Sequence, residues 1–129
     1  MGSMLMETWL AALASSGADA SAHVGADGRV TIAIRGEMDL ASAGSLYRRA
    51  RAALSEADGD VRVDLGGVTF CDAQGLSVLV RIANDAQRQG GRVLLERVPP
   101  NVARLLRITG LDRRFPMSAG APSIPEPLG

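Results

Sequence analysis

Apolar and polar positions alternate with period two in three short stretches of the chain. Val30, Ile32 and Ile34 alternate with Thr31, Ala33 and Arg35; Val61, Val63 and Leu65 repeat the pattern, and Val93 to Leu95 gives a third run. Period two places every second side chain on one face, so each stretch predicts a strand. Between them the period lengthens. Leu46, Ala50, Ala53 and Leu54 mark a helix capped by Ser42 or Ser45 and running to about Ala57. Leu76, Leu79, Val80, Ala83 and Ala86 form the core-facing stripe of a longer helix that Gly90-Gly91 ends. Pro99-Pro100 opens a third helix, with Val102, Leu105, Leu106 and Thr109 facing inward and Gly110 closing it. Gly36 ends the first strand and Gly66-Gly67 breaks the second. Strands that alternate with helices imply parallel pairing through right-handed crossovers, an α/β domain with a mostly parallel sheet of 4-5 strands.

The two ends of the chain carry weaker patterns. Leu5, Trp9, Leu10 and Leu13 fall at helical spacing and predict an amphipathic N-terminal helix over Met4 to Ser16, behind an expression scar at Met1 to Met4. Ser15 to Gly28 is rich in Ser, Ala, Gly and Asp and reads as a linker, with a short strand near His23 and Val24 and a turn at Asp27-Gly28. Phe115-Pro116-Met117 reads as one last short strand. The Pro, Ser, Gly and Ala of the C-terminus predict a flexible tail. The expected organisation is an extension at 1–23, one domain at 24–119 and the tail at 120–129.

Composition narrows the function classes. The 129 residues allow one core. Charge balances, with 14 basic residues, all Arg, against 14 acids, which argues against broad capture of nucleic acid or an anionic membrane. Uncharged stretches fall short of a membrane span, and the acid near the N-terminus does not suit a secretory signal. One Cys cannot form an internal disulfide, and a cytoplasmic location fits that count. One His and one Cys give no zinc-ligand spacing, and no phosphate-cradling or nucleophile-elbow motif occurs. The expectation is therefore a binding protein, not an enzyme, with no cofactor and no metal. Asp64 lies among strand residues and is expected to satisfy backbone or Arg partners.

The stretch Cys71 to Leu76 joins the second strand to the long helix, at the sheet edge where ligands and partners of α/β domains bind. Asp72 is placed to cap that helix, its carboxylate accepting the backbone N–H of Gln74 or Gly75. Gly75 leaves room for another backbone to approach. Leu76 is core or interface anchor. Cys71 precedes a helix N-terminus, which favours a thiolate, yet follows an apolar strand, which favours burial; it is kept as a redox candidate. Taken alone, these residues need be no more than a capped helix start.

Three motifs in register add to that reading. Gly-Glu-Met-Asp-Leu at Gly36 to Leu40, the Asp64 to Leu76 segment, and Ile-Thr-Gly-Leu-Asp-Arg-Arg-Phe at Ile108 to Phe115 resemble the STAS domain of bacterial anti-sigma factor antagonists. The resemblance covers about Val24 to Ala119. It implies a protein that binds an anti-sigma factor of the serine kinase type and so releases a sigma factor. In the family the kinase silences its antagonist by phosphorylating a Ser or Thr in an Asp-Ser-x-Gly-Leu motif, placing negative charge on a surface that must desolvate. Here that motif falls on Asp72, Ala73, Gln74, Gly75 and Leu76, and the acceptor position is Ala73, which has no oxygen to phosphorylate. Thr69 and Ser77 are the nearby hydroxyls and the candidate substitute phosphosites. The Gly36 to Ser42 loop and the Asp72 to Ser77 helix start both follow strand ends, so adjacent parallel strands would set them side by side; the expected partner surface there carries Asp39, Asp72, Gln74, Gly75 and Ser77, with the two carboxylates facing partner arginines. Two alternatives stand beside it: a STAS-type module binding a nucleotide or lipid near Asp39 and Asp72, and a subunit of a stressosome-like assembly. The N-terminal helix offers a route to a homodimer.

Overall fold

The computed structural model describes residues 18–115. The N-terminal helix, the strand residues Pro116 and Met117 and the tail expected from the sequence lie outside them. In chain order the elements are β1 (Ala18–Val24), β2 (Val30–Met38), α1 (Leu40–Leu54), β3 (Val61–Cys71), α2 (Ala73–Arg88), β4 (Val93–Glu96) and α3 (Pro100–Thr109), followed by a 3-10 turn at Leu111–Arg113. The strands form one sheet in the order β1-β2-β3-β4. β1 runs antiparallel to β2; β2–β3 and β3–β4 are parallel, as their helical crossovers require.

Strand pleating divides the sheet into two unlike faces. Val30, Ile32, Ile34, Val61, Val63, Leu65, Val93 and Leu95 are all buried, and with Leu46, Leu54, Leu79, Ile82 and Leu106 of the helices they make the core. Thr31, Ala33, Arg35, Arg62 and Asp64 point the other way and stay partly or fully exposed. Ion pairs cross this open face from Arg62 to Glu96 and from Arg97 to Asp64.

The elements depart from the sequence reading in specific places. Residues 18–24, read mainly as linker, are a strand. Ala18 and Ala20 are buried, and seven residues pair with β2 through a turn in which the Gly25 N–H donates to Arg29 O at 2.8 Å. β2 does not stop at Gly36, whose φ is 89°, but runs on to Met38. β3 likewise passes through Gly66 and Gly67. Arginine side chains lie across both glycines: a β carbon would sit 2.7 Å from Cζ of Arg97 at Gly66 and 2.8 Å from Cγ of Arg35 at Gly67. The β2–β3 register shifts at Ala33/Arg35 and again at Gly36/Glu37, so the strand bulges instead of breaking. α1 is capped by Asp39, not by Ser42 or Ser45, and ends at Leu54. Asp39 Oδ1 accepts the Ser42 N–H at 3.0 Å, while Ser42 Oγ accepts the Asp39 N–H at 3.0 Å. In α2 the buried stripe includes Val78 and Ile82, with Val80 half-buried at its border. Thr109 is exposed, its hydroxyl donating to Leu105 O at 2.8 Å.

Candidate functional site

Parallel pairing of β2 and β3 sets Met38 opposite Cys71, so the loops leaving both strands emerge side by side. The Asp72 N–H donates to Met38 O at 3.2 Å. Gly75, in the first turn of α2, is buried against that same carbonyl: a β carbon there would lie 2.2 Å from Met38 O. The space expected at Gly75 for an approaching backbone is thus filled by this chain's own β2, and Gly75 sets the distance between the two loops.

Each loop ends in a carboxylate that caps the following helix. Asp39 does so for α1. Asp72 Oδ1 accepts the N–H groups of Gln74 at 2.9 Å and Gly75 at 3.0 Å, both of the bonds anticipated from the sequence. Caps satisfy orphan helix donors and set negative charge at the positive end of the helix dipole. Among the described hydrogen bonds Oδ2 of Asp39 and Oδ2 of Asp72 accept nothing, so each carboxylate keeps one oxygen turned to other use.

Ala73 and Gln74 are exposed on the first turn of α2, and Ser77 is half-buried one turn on. The Ser77 hydroxyl donates to Gln74 O at 2.6 Å, a bond that holds it against the helix. Thr69 is exposed within β3. Leu76 is only 3% exposed and belongs to the core. Cys71 is buried, its thiol donating to Asp72 O at 3.5 Å; burial, with the charge of Asp72, pushes the thiol up to about 11. That environment keeps the thiol protonated, opposite to what a redox-responsive cysteine requires.

Two apolar side chains at this edge were not singled out from the sequence. Leu40, the first residue of α1, is 73% exposed, and Phe70, opposite Glu37 in the sheet, is 46% exposed. The available signal was phase: Leu40 falls off the Leu46–Ala50–Ala53–Leu54 stripe. Leu40 directly follows the Asp39 cap, and Phe70 lies two residues before Asp72 in the chain. His23 is exposed on β1, opposite Thr31, with no nucleophile assigned to it. Asp64 stands apart from the site, held by Nε and Nη2 of Arg97 at 2.9 and 2.7 Å. The cleft described on the open face is lined by Asp64, Arg35 and Arg97 but by neither Asp39 nor Asp72.

Comparison with known proteins agrees with this architecture. The family model described as Mlab, STAS domain matches residues 21–119. The chain is 36% identical over 90 residues to the anti-sigma-B factor antagonist of Bacillus subtilis, covering 70% of this chain and 82% of that one. Among solved structures, an anti-sigma factor antagonist from Mycobacterium paratuberculosis superposes with a TM-score of 0.67 at 24% identity, over 79% of this chain and 86% of that one. The anti-sigma factor antagonist SpoIIAA in its unphosphorylated form gives 0.65 at 16% identity, over 79% and 90%. A mostly parallel sheet, helix caps at the ends of β2 and β3, a family model spanning most of the chain and a relative above 30% identity converge: the chain belongs to the STAS domain family that includes the anti-sigma factor antagonists.

Proposed function

We propose that this protein is an anti-sigma factor antagonist that binds an anti-sigma factor of the serine kinase type through the paired ends of β2 and β3, and thereby frees a sigma factor. It is a binding regulator, not an enzyme. Leu40 and Phe70 supply the apolar contact, and the free oxygens of Asp39 and Asp72 receive partner arginines. Gln74 and Ser77 complete the footprint on α2.

The observation that carries the reading is the exposed Ala73 on the first turn of α2, beside the paired ends of β2 and β3. A methyl group there preserves the contact surface and removes the phosphate acceptor. The nearest hydroxyls are poor substitutes. Ser77 is tied to Gln74 O within the helix, and Thr69 is held in a strand, whereas a kinase needs its acceptor extended toward ATP. The antagonist therefore binds constitutively, and control lies in its amount and in competition for the partner.

The test is co-precipitation with the anti-sigma factors of the native host, with and without ATP, followed by phosphosite mass spectrometry. Retention of the complex in ATP with no phosphate on this chain is expected. ATP-driven release with phosphate on this chain would overturn the constitutive mode, and failure to bind any anti-sigma factor would overturn the function. Ala73→Asp, which puts permanent charge where relatives receive phosphate, should weaken binding by at least about tenfold. Its melting temperature should change little, because a carboxylate suits a helix N-terminus.

A further inference from the structure

A second concentration of charge lies away from that edge, on the helical layer. α1 carries Arg48, Arg49 and Arg51 and no acid; α2 carries Arg81 and Arg88 against Asp85; α3 carries Arg104 and Arg107 and no acid. The zero net charge of the chain therefore hides an excess of arginine over acid on its three helices.

Where α1 and α2 pack together, three of these arginines line one open cleft of about 250 Å³, together with Tyr47, Asn84 and Asp85. The cleft is tethered from below. Asp85, almost fully buried, accepts a short hydrogen bond from the Tyr47 hydroxyl and a 2.6 Å bond from Nη1 of Arg88. The guanidinium of Arg81 lies 3.8 Å from the centroid of the Tyr47 ring, a cation–π stack that fixes its plane. Arg51 borders the same opening, and neither Arg51 nor Arg81 has a carboxylate partner among the described residues. The hydrogen bond to Asp85, with burial, holds the Tyr47 hydroxyl protonated above its usual range, so it stays a donor. Asn84 is anchored in turn by Arg114, the residue after the 3-10 turn.

Arg88 is thus paired with the one carboxylate of the cleft, and Arg51 and Arg81 add two guanidiniums that this carboxylate does not neutralise. A positive cluster of this kind is self-repelling unless an anion joins it. Guanidinium forks match phosphate oxygens two at a time, and arginines whose rotamers are already restrained lose less entropy on binding. We infer that the cleft between α1 and α2 is a binding site for a multiply charged phosphate anion, with Arg51 and Arg81 as its principal ligands and Arg88 as the third. The site is separate from the β2–β3 edge, and its existence does not depend on the function proposed for that edge.

The experiment is isothermal titration calorimetry of the full chain with inorganic tripolyphosphate, and in a second arm with ATP, at fixed ionic strength of about 0.15 M. A saturable one-to-one isotherm is expected. Arg51→Gln and Arg81→Gln should each weaken it at least about tenfold. Arg104→Gln, an exposed arginine of α3 outside the cleft, should leave it within about twofold. Equal affinity for the two ligands identifies the phosphate chain as what is recognised; tighter ATP binding identifies a nucleotide; both support the site. Absence of saturable binding, or equal weakening by Arg104→Gln, would overturn it. All three substitutions are at exposed positions, and circular dichroism verifies that each variant is folded.

Discussion

Cys71 and Ala73 stand two residues apart and meet solvent in opposite ways. The thiol is buried at the end of β3; the methyl is exposed on the first turn of α2. With the thiol raised to about 11 by burial and by Asp72, only roughly one molecule in several thousand carries a thiolate near neutral pH. Iodoacetamide should therefore label the native protein at pH ~7.5 at least about a hundredfold more slowly than the urea-unfolded chain. Similar rates would mean an accessible, activated thiol and would reopen redox control at this residue. Gly75 makes the complementary case, in which a missing side chain is the functional part. Gly75→Ala would drive a β carbon to 2.2 Å from Met38 O, a backbone atom that cannot rotate away. The expected cost is about 2 kcal/mol or more, by urea unfolding, because the end of β2 and the start of α2 must separate. Partner affinity should fall with it, since the two loops lose their fixed spacing.

At the scale of elements, α1 and α2 begin on the same device, an aspartate cap immediately after a strand. Asp39→Ala and Asp72→Ala should each destabilise the fold by about 1 kcal/mol. Asp72→Asn should recover most of its loss, since an amide oxygen also caps; an unrecovered loss would assign the cost to charge. The Asp72 cap was legible because the apolar stripe of α2 begins right behind it. Asp39 was not, because the first apolar residue after it, Leu40, is exposed and the recognisable stripe starts only at Leu46. Ser42, read as the cap, is instead the other half of the capping box. β1 was illegible for a different reason. Ala, Ser and Asp have low strand propensity, and the segment becomes a strand through its pairing with β2 and the burial of Ala18 and Ala20. The length of β3 was hidden by Gly66 and Gly67, which locally signal a break. Nothing local reveals that Arg35 and Arg97, distant in sequence, lie across them. The meeting of the two loops could be read in advance from parallel pairing alone, but the exposure of Phe70 could not, since it depends on the register shifts between β2 and β3.

At the scale of the whole molecule, the sheet separates an apolar interior on one face from charge on the other, and the second face makes stability depend on pH. Asp64 is its most engaged acid. Burial works to raise its pKa, but the two bonds from Arg97, the Gly66 N–H at 2.9 Å and the charge of Arg35 outweigh burial and leave it lowered. A carboxylate lowered in the folded state binds its proton more readily when unfolded. Its contribution is therefore complete above the ordinary carboxylate range and is lost as pH falls through the folded value. Because Arg97 and Arg35 are drawn from β4's exit and from β2, that loss loosens three neighbouring strands, not one side chain. Asp64→Asn keeps the shape but cannot hold the charge. The urea midpoint of the wild type should exceed that of Asp64→Asn at pH ~7, and the gap should narrow as the pH is lowered toward about 3. A gap that stays constant over that range would mean that the Asp64 charge contributes nothing and that only its hydrogen-bonding shape matters. Raising salt at pH ~7 separates the two further: the bidentate pair lies at a partly exposed surface, so screening should shrink the gap without closing it, leaving the part due to the second Arg97 hydrogen bond, which an amide NH2 cannot accept.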